Sequence, residues 1–228
     1  MDLTASRADA GRRTGITTVV CDYGGVLTNP LIETYTAFAQ TSGLGLEVIA
    51  RAFQDATRRH GGVTPMAALE TAEITEEQFV ERIAAELPAD SWRLPEGVTF
   101  GELWFAGRTG NEEFVAFLRT LAARGYRLAL LTNNVREWDR LWRATIPVDE
   151  LFDVVVNSAE ERVRKPDPEI YRRLLERLDE PAEHCLFVDD LQENLDAAAK
   201  FGMETVLFTD TRRTVEEVSA RLGLEAAE

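Results

Sequence analysis

The sequence predicts an α/β fold in which a three-layer α/β/α core surrounds a parallel sheet and carries an inserted all-helical cap domain. Three observations lead to this prediction: five short runs typical of buried strands, helices that alternate with them, and one long stretch without strands. Strands that alternate with helices form βαβ units and therefore a parallel sheet covered on both faces. With 228 residues, 45% of them hydrophobic, the chain can bury one sizeable core and a small second one.

The five predicted strands are apolar or β-branched runs of four to six residues. The first one, residues 16–21 (ITTVVC), ends before a pair of glycines, and its lack of polar alternation predicts a strand buried on both faces. The four later strands are predicted over residues 126–131 (YRLALL), 152–156 (FDVVV), 184–188 (HCLFV) and 205–208 (TVLF).

Helical patterns occupy the intervals between these strands. Apolar residues recur at the spacing of one helical face over residues 114–121, and Gly125 ends that helix. Asp167 and Pro168 predict the start of a helix over residues 169–178, because Asp caps free N–H groups and Pro fits the first helical position. Two further helices are predicted over residues 194–201 and 214–222.

Residues 30–104 show no strand pattern and predict the helical cap. Two helices are expected in this stretch, over residues 46–59 and 75–87, and Thr75 and Gln78 form a capping-box pair at the start of the second. Connecting loops in α/β units usually have about 2 to 6 residues, so the insertion is too long to be a loop. We expect it to cover the carboxyl ends of the strands, where open α/β sheets bind ligands.

The insertion also defines the domain organisation. The catalytic core is predicted over residues 16–29 and 105–228, on both sides of the cap over residues 30–104. Residues 1–15 are polar and lack the apolar stretch of a signal peptide, which predicts a mobile leader.

The amino-acid composition limits the binding partners and the cellular location that we expect for the protein. The formal net charge of -15 opposes binding to nucleic acid and to anionic membranes. Apolar runs all fall short of the roughly 18 residues that a membrane span requires. Cys21 and Cys185 lie in apolar runs, which is typical of core residues in a reducing compartment. We therefore expect a cytoplasmic protein without nucleic-acid or membrane partners, either a monomer or a homodimer.

Polar residues follow the first two predicted strands. Asp22 comes directly after the first strand, and Gly24 and Gly25 allow the backbone to approach a ligand closely, so Asp22 is a candidate nucleophile or metal ligand. Thr132 and Asn133 follow the second strand and offer a hydroxyl, an amide and backbone N–H groups. Each of these groups alone is equally typical of a turn.

Two charged features complete the pattern. Lys165 is one of only two lysines among 25 Lys and Arg residues, and a compact ammonium binds phosphate oxygens as a point charge. Asp189 and Asp190 follow the fourth strand, where adjacent carboxylates repel each other unless a cation or a donor holds them. Mg²⁺ prefers such oxygen ligands. A parallel sheet brings all these strand ends to one edge.

The order of these motifs resembles the haloacid dehalogenase superfamily, in particular small phosphatases with a helical cap after the first motif. The four superfamily motifs are matched by DYGGVLT, LLTNN, RKPDPEIY and FVDDLQENLDAAAKFGMETVLF. The segment ALETAEITEEQFVERIAAEL is similar to the cap of sugar-phosphate phosphatases and of the phosphatase domain attached to soluble epoxide hydrolase. The resemblance extends over residues 16–210 and implies a Rossmann-like core.

The resemblance implies a Mg²⁺-dependent phosphatase that hydrolyses a small phosphorylated metabolite, similar to a sugar phosphate, through an aspartyl-phosphate. Asp22 would be the nucleophile, and Thr132 and Lys165 would bind the phosphoryl group with help from the Asn133 backbone. This arrangement agrees with phosphoryl-transfer chemistry, because a carboxylate can approach an anionic phosphate only when cations screen the repulsion.

The same resemblance implies the metal site. Mg²⁺ would be held by Asp22, the Gly24 carbonyl and the pair Asp189 and Asp190, and which member of the pair contacts the metal is left open. The remaining predicted substrate contacts are Gly25 and Tyr23, the ring of Tyr23 facing the entrance of the site.

Gly24 departs from the superfamily pattern, because most of these phosphatases carry a second Asp there as general acid. General acid catalysis contributes roughly 10²- to 10⁴-fold, so we expect slow turnover of poor leaving groups. Two alternatives stay open: a non-catalytic binder of a phosphometabolite or protein, and a metal-independent haloacid dehalogenase, which the acidic pair disfavours. Phosphonate cleavage through a cap lysine is disfavoured because residues 30–104 contain no lysine.

Substrate choice is predicted to depend on the cap. Sugar phosphates, cyclitol phosphates, nucleotides and phosphorylated biosynthetic intermediates all remain possible. The insertion point also predicts that the cap opens and closes over the site. The candidate cap residues are Tyr35, Phe38, Phe53, Arg58, Arg59, His60, Trp92 and Trp104.

Overall fold

A five-stranded parallel sheet forms the centre of the molecule. The computed structural model describes residues 15–89 and 91–224, so the predicted leader lies outside the described residues except for Gly15. The sheet order is β3-β2-β1-β4-β5, and every neighbouring pair is parallel. All five predicted strands are confirmed, with ends shifted by at most two residues. The strands are β1 (Thr18–Cys21), β2 (Arg127–Thr132), β3 (Val154–Asn157), β4 (Cys185–Asp189) and β5 (Glu204–Leu207).

The register of the sheet places the residues that follow β1, β2 and β4 at one edge. Cys21, the last residue of β1, lies opposite Leu130 of β2 and Val188 of β4. The N–H of Asp22 donates to the Val188 carbonyl at 2.9 Å and continues this pairing by one residue. Asp22 therefore leaves the sheet between the ends of its two neighbouring strands.

Helices cover both faces of the sheet and make up the insertion between β1 and β2. In the part of the chain that the structure describes, none of them has the length and apolar character needed to cross a bilayer. The helices are α1 (Leu31–Ser42), α2 (Leu46–Arg59), α3 (Pro65–Glu70), α4 (Glu76–Ala84), α5 (Phe100–Phe105), α6 (Glu112–Ala123), α7 (Asp139–Arg143), α8 (Val148–Leu151), α9 (Ser158–Glu161), α10 (Pro168–Leu178), α11 (Gln192–Ala199) and α12 (Thr211–Arg221).

The two capping signals predicted from the sequence, for α4 and α10, are present in the structure. Thr75 Oγ1 accepts from Gln78 N at 3.3 Å and Gln78 Oε1 accepts from Thr75 N at 3.0 Å, which confirms the predicted capping box of α4. Asp167 Oδ1 accepts from Glu169 N at 2.9 Å at the start of α10. The helices α1, α3 and α5 were not individually predicted. The last two have only six residues each, too few for a periodic pattern to show.

Alternate residues of the strands pack into two separate apolar layers. Val19 and Cys21 face the layer shared with α6 and α12, whereas Val20 faces the layer shared with α10 and α11. Burial on both faces explains why the strand runs lack polar alternation. Cys21 and Cys185 are both buried and free, and they lie in different layers.

The helices α1–α5, called the cap helices below, pack on the core through aromatic side chains. Trp138 lies near Phe100 and Trp104 of α5, with ring centroids 6.0 and 6.2 Å apart, and its Nε1 donates to Glu76 Oε2 at 2.9 Å. A Cβ at Gly101 would lie only 2.5 Å from Trp138, so this close contact requires glycine. The apolar interior of the cap helices is thus continuous with one core layer.

Candidate active site

Four charged side chains meet at the carboxyl edge of the sheet. Asp22 follows β1, Asp189 ends β4, Asp190 comes next, and Lys165 reaches them from the segment between α9 and α10. Lys165 Nζ lies 2.5 Å from Asp22 Oδ1 and 2.7 Å from Asp189 Oδ2. The exposed fraction of Lys165 is 1% and that of Asp189 is 0%. Water therefore screens this ion cluster little.

The electrostatics of the cluster follow from burial and mutual charge. Burial raises the pKa of Asp22 to about 7, although Lys165 pulls it down. Burial and then the neighbouring Asp189 raise the pKa of Asp190 to about 6. Burial by itself would lower the pKa of Lys165, but Asp189 and Asp22 together raise it. Three carboxylates share one ammonium, so the cluster favours a further cation.

The two adjacent acids have different surroundings. Asp189 accepts from Lys165 Nζ, from Leu191 N at 2.8 Å and from Asn194 Nδ2 at 2.9 and 3.1 Å. Its two oxygens are therefore already engaged. Asp190 instead lines the cavity together with Asp22. A Cβ at Gly25 would lie 2.5 Å from Asp190 Oδ2, so Gly25, with φ +83°, leaves the room that this carboxylate needs.

The geometry of the acidic residues suits a cation. One carboxylate oxygen each from Asp22, Asp189 and Asp190 lies within 4.8 Å of the others. A donor set made only of oxygens suits hard cations such as Mg²⁺. The residues therefore fit the metal that the sequence analysis predicts, with Asp22 and Asp190 as the two that face the cavity.

Thr132 and Asn133 differ in their contacts: the Thr132 hydroxyl has no partner in the described part of the chain, whereas the Asn133 amide is hydrogen-bonded to Lys165. Thr132 is 1% exposed, and its Oγ1 has no hydrogen-bond partner among the described residues, a situation that buried polar groups generally avoid unless a ligand binds. The Asn133 side chain holds Lys165 instead: Lys165 N donates to Oδ1 at 2.8 Å, and Nδ2 donates to the Lys165 carbonyl at 3.1 Å. The resemblance implied a phosphate contact of the Asn133 backbone, and the hold of its amide on Lys165 is an additional feature of the structure.

Tyr23 is placed differently from the expectation that its ring faces the entrance. It borders the cavity, but only 2% of it is exposed. Its hydroxyl is hydrogen-bonded to Thr145, and its ring packs edge-to-face on Trp142 with centroids 5.7 Å apart. Both the hydroxyl and the ring of Tyr23 are engaged in the core, so the ring does not face the entrance of the site.

A cavity of about 250 Å³ opens above the charged cluster. Gly24 borders it, and a Cβ built on Gly24 would lie 4.0 Å from Asp22 Oδ2. Of the cap candidates, Tyr35 and Trp104 contribute to its walls. The apolar walls include Leu31, Tyr35, Met66, Trp104, Phe105, Trp138 and Leu191.

Other predicted cap candidates lie away from the cavity. Phe38 is buried, and Phe53 and Trp92 pack against the same apolar layer. Arg58 forms an ion pair with Asp55, and Arg59 Nε lies 2.5 Å from Glu86 Oε1. The basic cluster at residues 58–60 therefore does not face the cavity, in agreement with a solvated helix end.

Three charged residues of the cavity were not predicted from the sequence. Arg164 Nε lies 2.9 Å from Glu70 Oε2, and burial raises the pKa of Glu70. Arg108 Nη1 donates to Thr34 Oγ1 at 2.8 Å, and burial lowers the pKa of the guanidinium. Arg164 directly precedes Lys165 in the third motif, and this position could have predicted it as a residue of the site. Arg108 follows α5 without any motif, so only the three-dimensional fold reveals it.

Comparisons with known proteins agree with this fold. Residues 16–202 match the family model of haloacid dehalogenase-like hydrolases. Phosphatase MT3486 of Mycobacterium tuberculosis is 30% identical over 210 residues, which cover 89% of this chain and 92% of that protein. Acyl-CoA dehydrogenase family member 10 of Mus musculus is 30% identical over 212 residues, 90% of this chain but only 19% of that protein.

A solved structure shows the same architecture. A HAD family enzyme of Bacteroides thetaiotaomicron, in complex with magnesium and inorganic phosphate, superimposes with a TM-score of 0.66 at 20% identity. The match covers 85% of this chain and 94% of that one. It supports the three-layer α/β/α fold of the core.

Proposed function

Because the chain belongs to the haloacid dehalogenase-like hydrolase family, we propose that it is a Mg²⁺-dependent phosphatase acting through an aspartyl-phosphate on Asp22. The observation that carries this proposal is the position of the Lys165 ammonium, 2.5 Å from Asp22 and beside two further carboxylates. A nucleophilic carboxylate needs such cations before it can approach a phosphate. The relative named as a phosphatase supports the same reaction.

The charged residues of the cluster, Thr132 and Gly24 each have a role in this mechanism. Asp22 attacks phosphorus and displaces the ester oxygen, and water then hydrolyses the aspartyl-phosphate to release phosphate. Lys165 and the unpartnered Thr132 Oγ1 bind oxygens of the phosphoryl group. Asp22, Asp190 and the Gly24 carbonyl would hold Mg²⁺, which when bound neutralises phosphate charge. Asp189, whose oxygens are engaged, fixes Lys165.

The proposed substrate is a small phosphorylated metabolite, with an organic part comparable to that of a sugar phosphate. A cavity of about 250 Å³ limits this part to a small group. Tyr35 and Trp104 offer rings on which such a group can pack. We further propose that residues 30–104 act as the cap that selects it, and that the protein works in the cytoplasm.

A phosphatase assay tests the proposal. With p-nitrophenyl phosphate we expect phosphate release that depends on Mg²⁺, stops with a chelator and is abolished by Asp22→Asn. Asp196→Asn, at an exposed position of α11, is the matched control and should retain activity. Equal inactivity of wild type and Asp22→Asn toward a library of phosphate esters would favour a non-catalytic binder. Metal-independent halide release from 2-haloacids would favour a dehalogenase.

A further inference from the structure

Arg108 is a cation of the cavity that forms no ion pair with a carboxylate of the described residues. Three cationic side chains line the cavity: Lys165 pairs with Asp22 and Asp189, and Arg164 pairs with Glu70. Within residues 15–89 and 91–224, Arg108 forms no salt bridge. Asp22 and Asp190 of the same cavity act on the guanidinium through their charge but form no ion pair with it, so its N–H donors stay available to a ligand.

Neutral oxygens hold the Arg108 guanidinium in place. Nη1 donates to Thr34 Oγ1 at 2.8 Å and to the Asn29 carbonyl at 3.4 Å. Thr34 is fully buried. The Nε atom is buried and has no hydrogen-bond partner among the described residues. A fixed guanidinium with unused donor capacity is suited to binding an anionic oxygen.

The position of Arg108 relative to Gly24 indicates which oxygen it meets. A Cβ built on Gly24 would lie 3.4 Å from Arg108 Nη2 and 4.0 Å from Asp22 Oδ2. The guanidinium and the nucleophile thus flank the same space above Gly24. A reacting phosphorus lies about 3 to 3.5 Å from its nucleophile before attack, so the ester oxygen on its far side points away from Asp22.

We propose that Arg108 binds the leaving oxygen of the substrate and stabilises the negative charge that develops there. The inference rests on the phosphatase function proposed above. As the Asp22 oxygen bonds to phosphorus, the phosphorus–oxygen ester bond breaks and its electron pair stays on the leaving oxygen. Arg108 N–H groups donate hydrogen bonds to this oxygen, which later takes a proton from water.

The absence of a side chain at Gly24 is part of this arrangement. Any side chain there would start 3.4 Å from the guanidinium, and a carboxylate would pair with Arg108 and cancel its charge. Charge stabilisation at Arg108 thus takes the place of proton donation at position 24. This assigns the substrate class: phosphate esters whose leaving oxygen is stable without a proton, such as aryl, enol and acyl phosphates.

A leaving-group series tests the inference. The specificity constant kcat/KM is measured for aryl and alkyl phosphates of increasing leaving-group pKa with wild type, Arg108→Met, Arg108→Lys and Arg119→Met. For Arg108→Met we expect a loss of about 10²- to 10³-fold with the poorest leaving groups, as for removal of an oxyanion donor, and a much smaller loss with p-nitrophenyl phosphate. Arg108→Lys should recover part of the loss. Arg119→Met, at an exposed position of α6, should follow wild type.

The outcomes separate this inference from the proposed function. Equal losses across the series, or a rise in KM alone, would overturn the leaving-group role while leaving the phosphatase function intact. A wild type that hydrolyses no ester would overturn both. If Arg108→Met does not fold, Thr34→Val provides the test, because it removes the 2.8 Å hydrogen bond that positions Arg108. In this variant kcat/KM should fall more steeply with increasing leaving-group pKa than in the wild type.

Discussion

The side-chain amide of Asn133 is hydrogen-bonded to both backbone groups of Lys165, at 2.8 Å to the N–H and 3.1 Å to the carbonyl. Asn133 directly follows β2, whereas Lys165 belongs to the segment between α9 and α10. The pair thus fixes the point from which the ammonium reaches Asp22. Asn133 is therefore a positioning residue for the proposed phosphoryl site.

Asn133→Ala tests this positioning role. Loss of the two hydrogen bonds should lower the free energy of unfolding by about 1–3 kcal/mol, measured by urea denaturation. A shift of Lys165 by about 1 Å can cost on the order of 10²-fold, so we expect a large fall in kcat with a smaller change in KM. Asn133→Asp, which keeps the acceptor for Lys165 N, should recover part of the stability. Unchanged kcat in Asn133→Ala would show that Lys165 needs no such support.

The sequence predicted the parts of the site that depend on strand order. Asp22 and Asp189 meet because the carboxyl ends of parallel strands lie at the same edge of a sheet, and Lys165 reaches them from the segment between α9 and α10. The contacts of the Asn133 amide with Lys165 and of Arg108 with Thr34 were not predicted because each joins residues that lie far apart in sequence. For Tyr23, adjacency to the nucleophile suggested an exposed ring, but the apolar layer around Trp142 buries it.

Removal of the Lys165 ammonium should affect both stability and activity. Lys165→Met leaves Asp22 and Asp189 buried without their shared counter-charge, a change that typically costs about 3–5 kcal/mol. We expect that loss in urea denaturation at neutral pH, together with loss of phosphatase activity. Lys165→Arg should not restore activity, because the planar fork cannot replace a compact ammonium.

The chain provides its own control for this experiment. Lys200 is the other lysine and is exposed at the end of α11, so Lys200→Met should resemble wild type in both measurements. Full activity of Lys165→Met would contradict the proposed phosphate contact.

Asp189→Asn and Asp190→Asn should have different effects, although the residues are neighbours. Asp190 faces the cavity, so its replacement should weaken Mg²⁺ binding strongly. Loss of a residue that only supports a metal ligand typically weakens binding by roughly 10- to 100-fold, and we expect a larger effect for Asp190→Asn. Asp189 holds Lys165 and Asn194, so its replacement should mainly destabilise the fold. Calorimetric titration with Mg²⁺ and thermal denaturation without metal measure the two effects. Equal Mg²⁺ affinities of the two variants would contradict this division.

Both cysteines should be unreactive in the folded protein. Burial raises the pKa of the Cys185 thiol to about 12 and that of Cys21 still higher, so neither forms the reactive thiolate near neutral pH. Titration with a thiol reagent at pH 8 should detect no thiol in the native protein and both in urea. Rapid labelling of the native protein would show that one apolar layer opens readily.

The end of α3 should control how tightly the cap helices cover the site. Ser158 Oγ donates to the Glu70 carbonyl at 2.6 Å, and Arg164 pairs with the Glu70 carboxylate, so two core residues anchor this end. Ser158→Ala and Arg164→Met should each increase hydrogen exchange over residues 65–70 and leave exchange in the sheet unchanged, whereas Arg119→Met should match wild type.

The same measurement tests closure of the cap over the site. Addition of Mg²⁺ and beryllofluoride, a phosphoryl mimic, should slow exchange over residues 31–105 in the wild type, because a ligand bound between cap and core favours the closed arrangement. The effect should be smaller in Arg164→Met, which has lost one anchor. Identical exchange with and without the mimic in the wild type would indicate that the cap helices stay fixed during turnover.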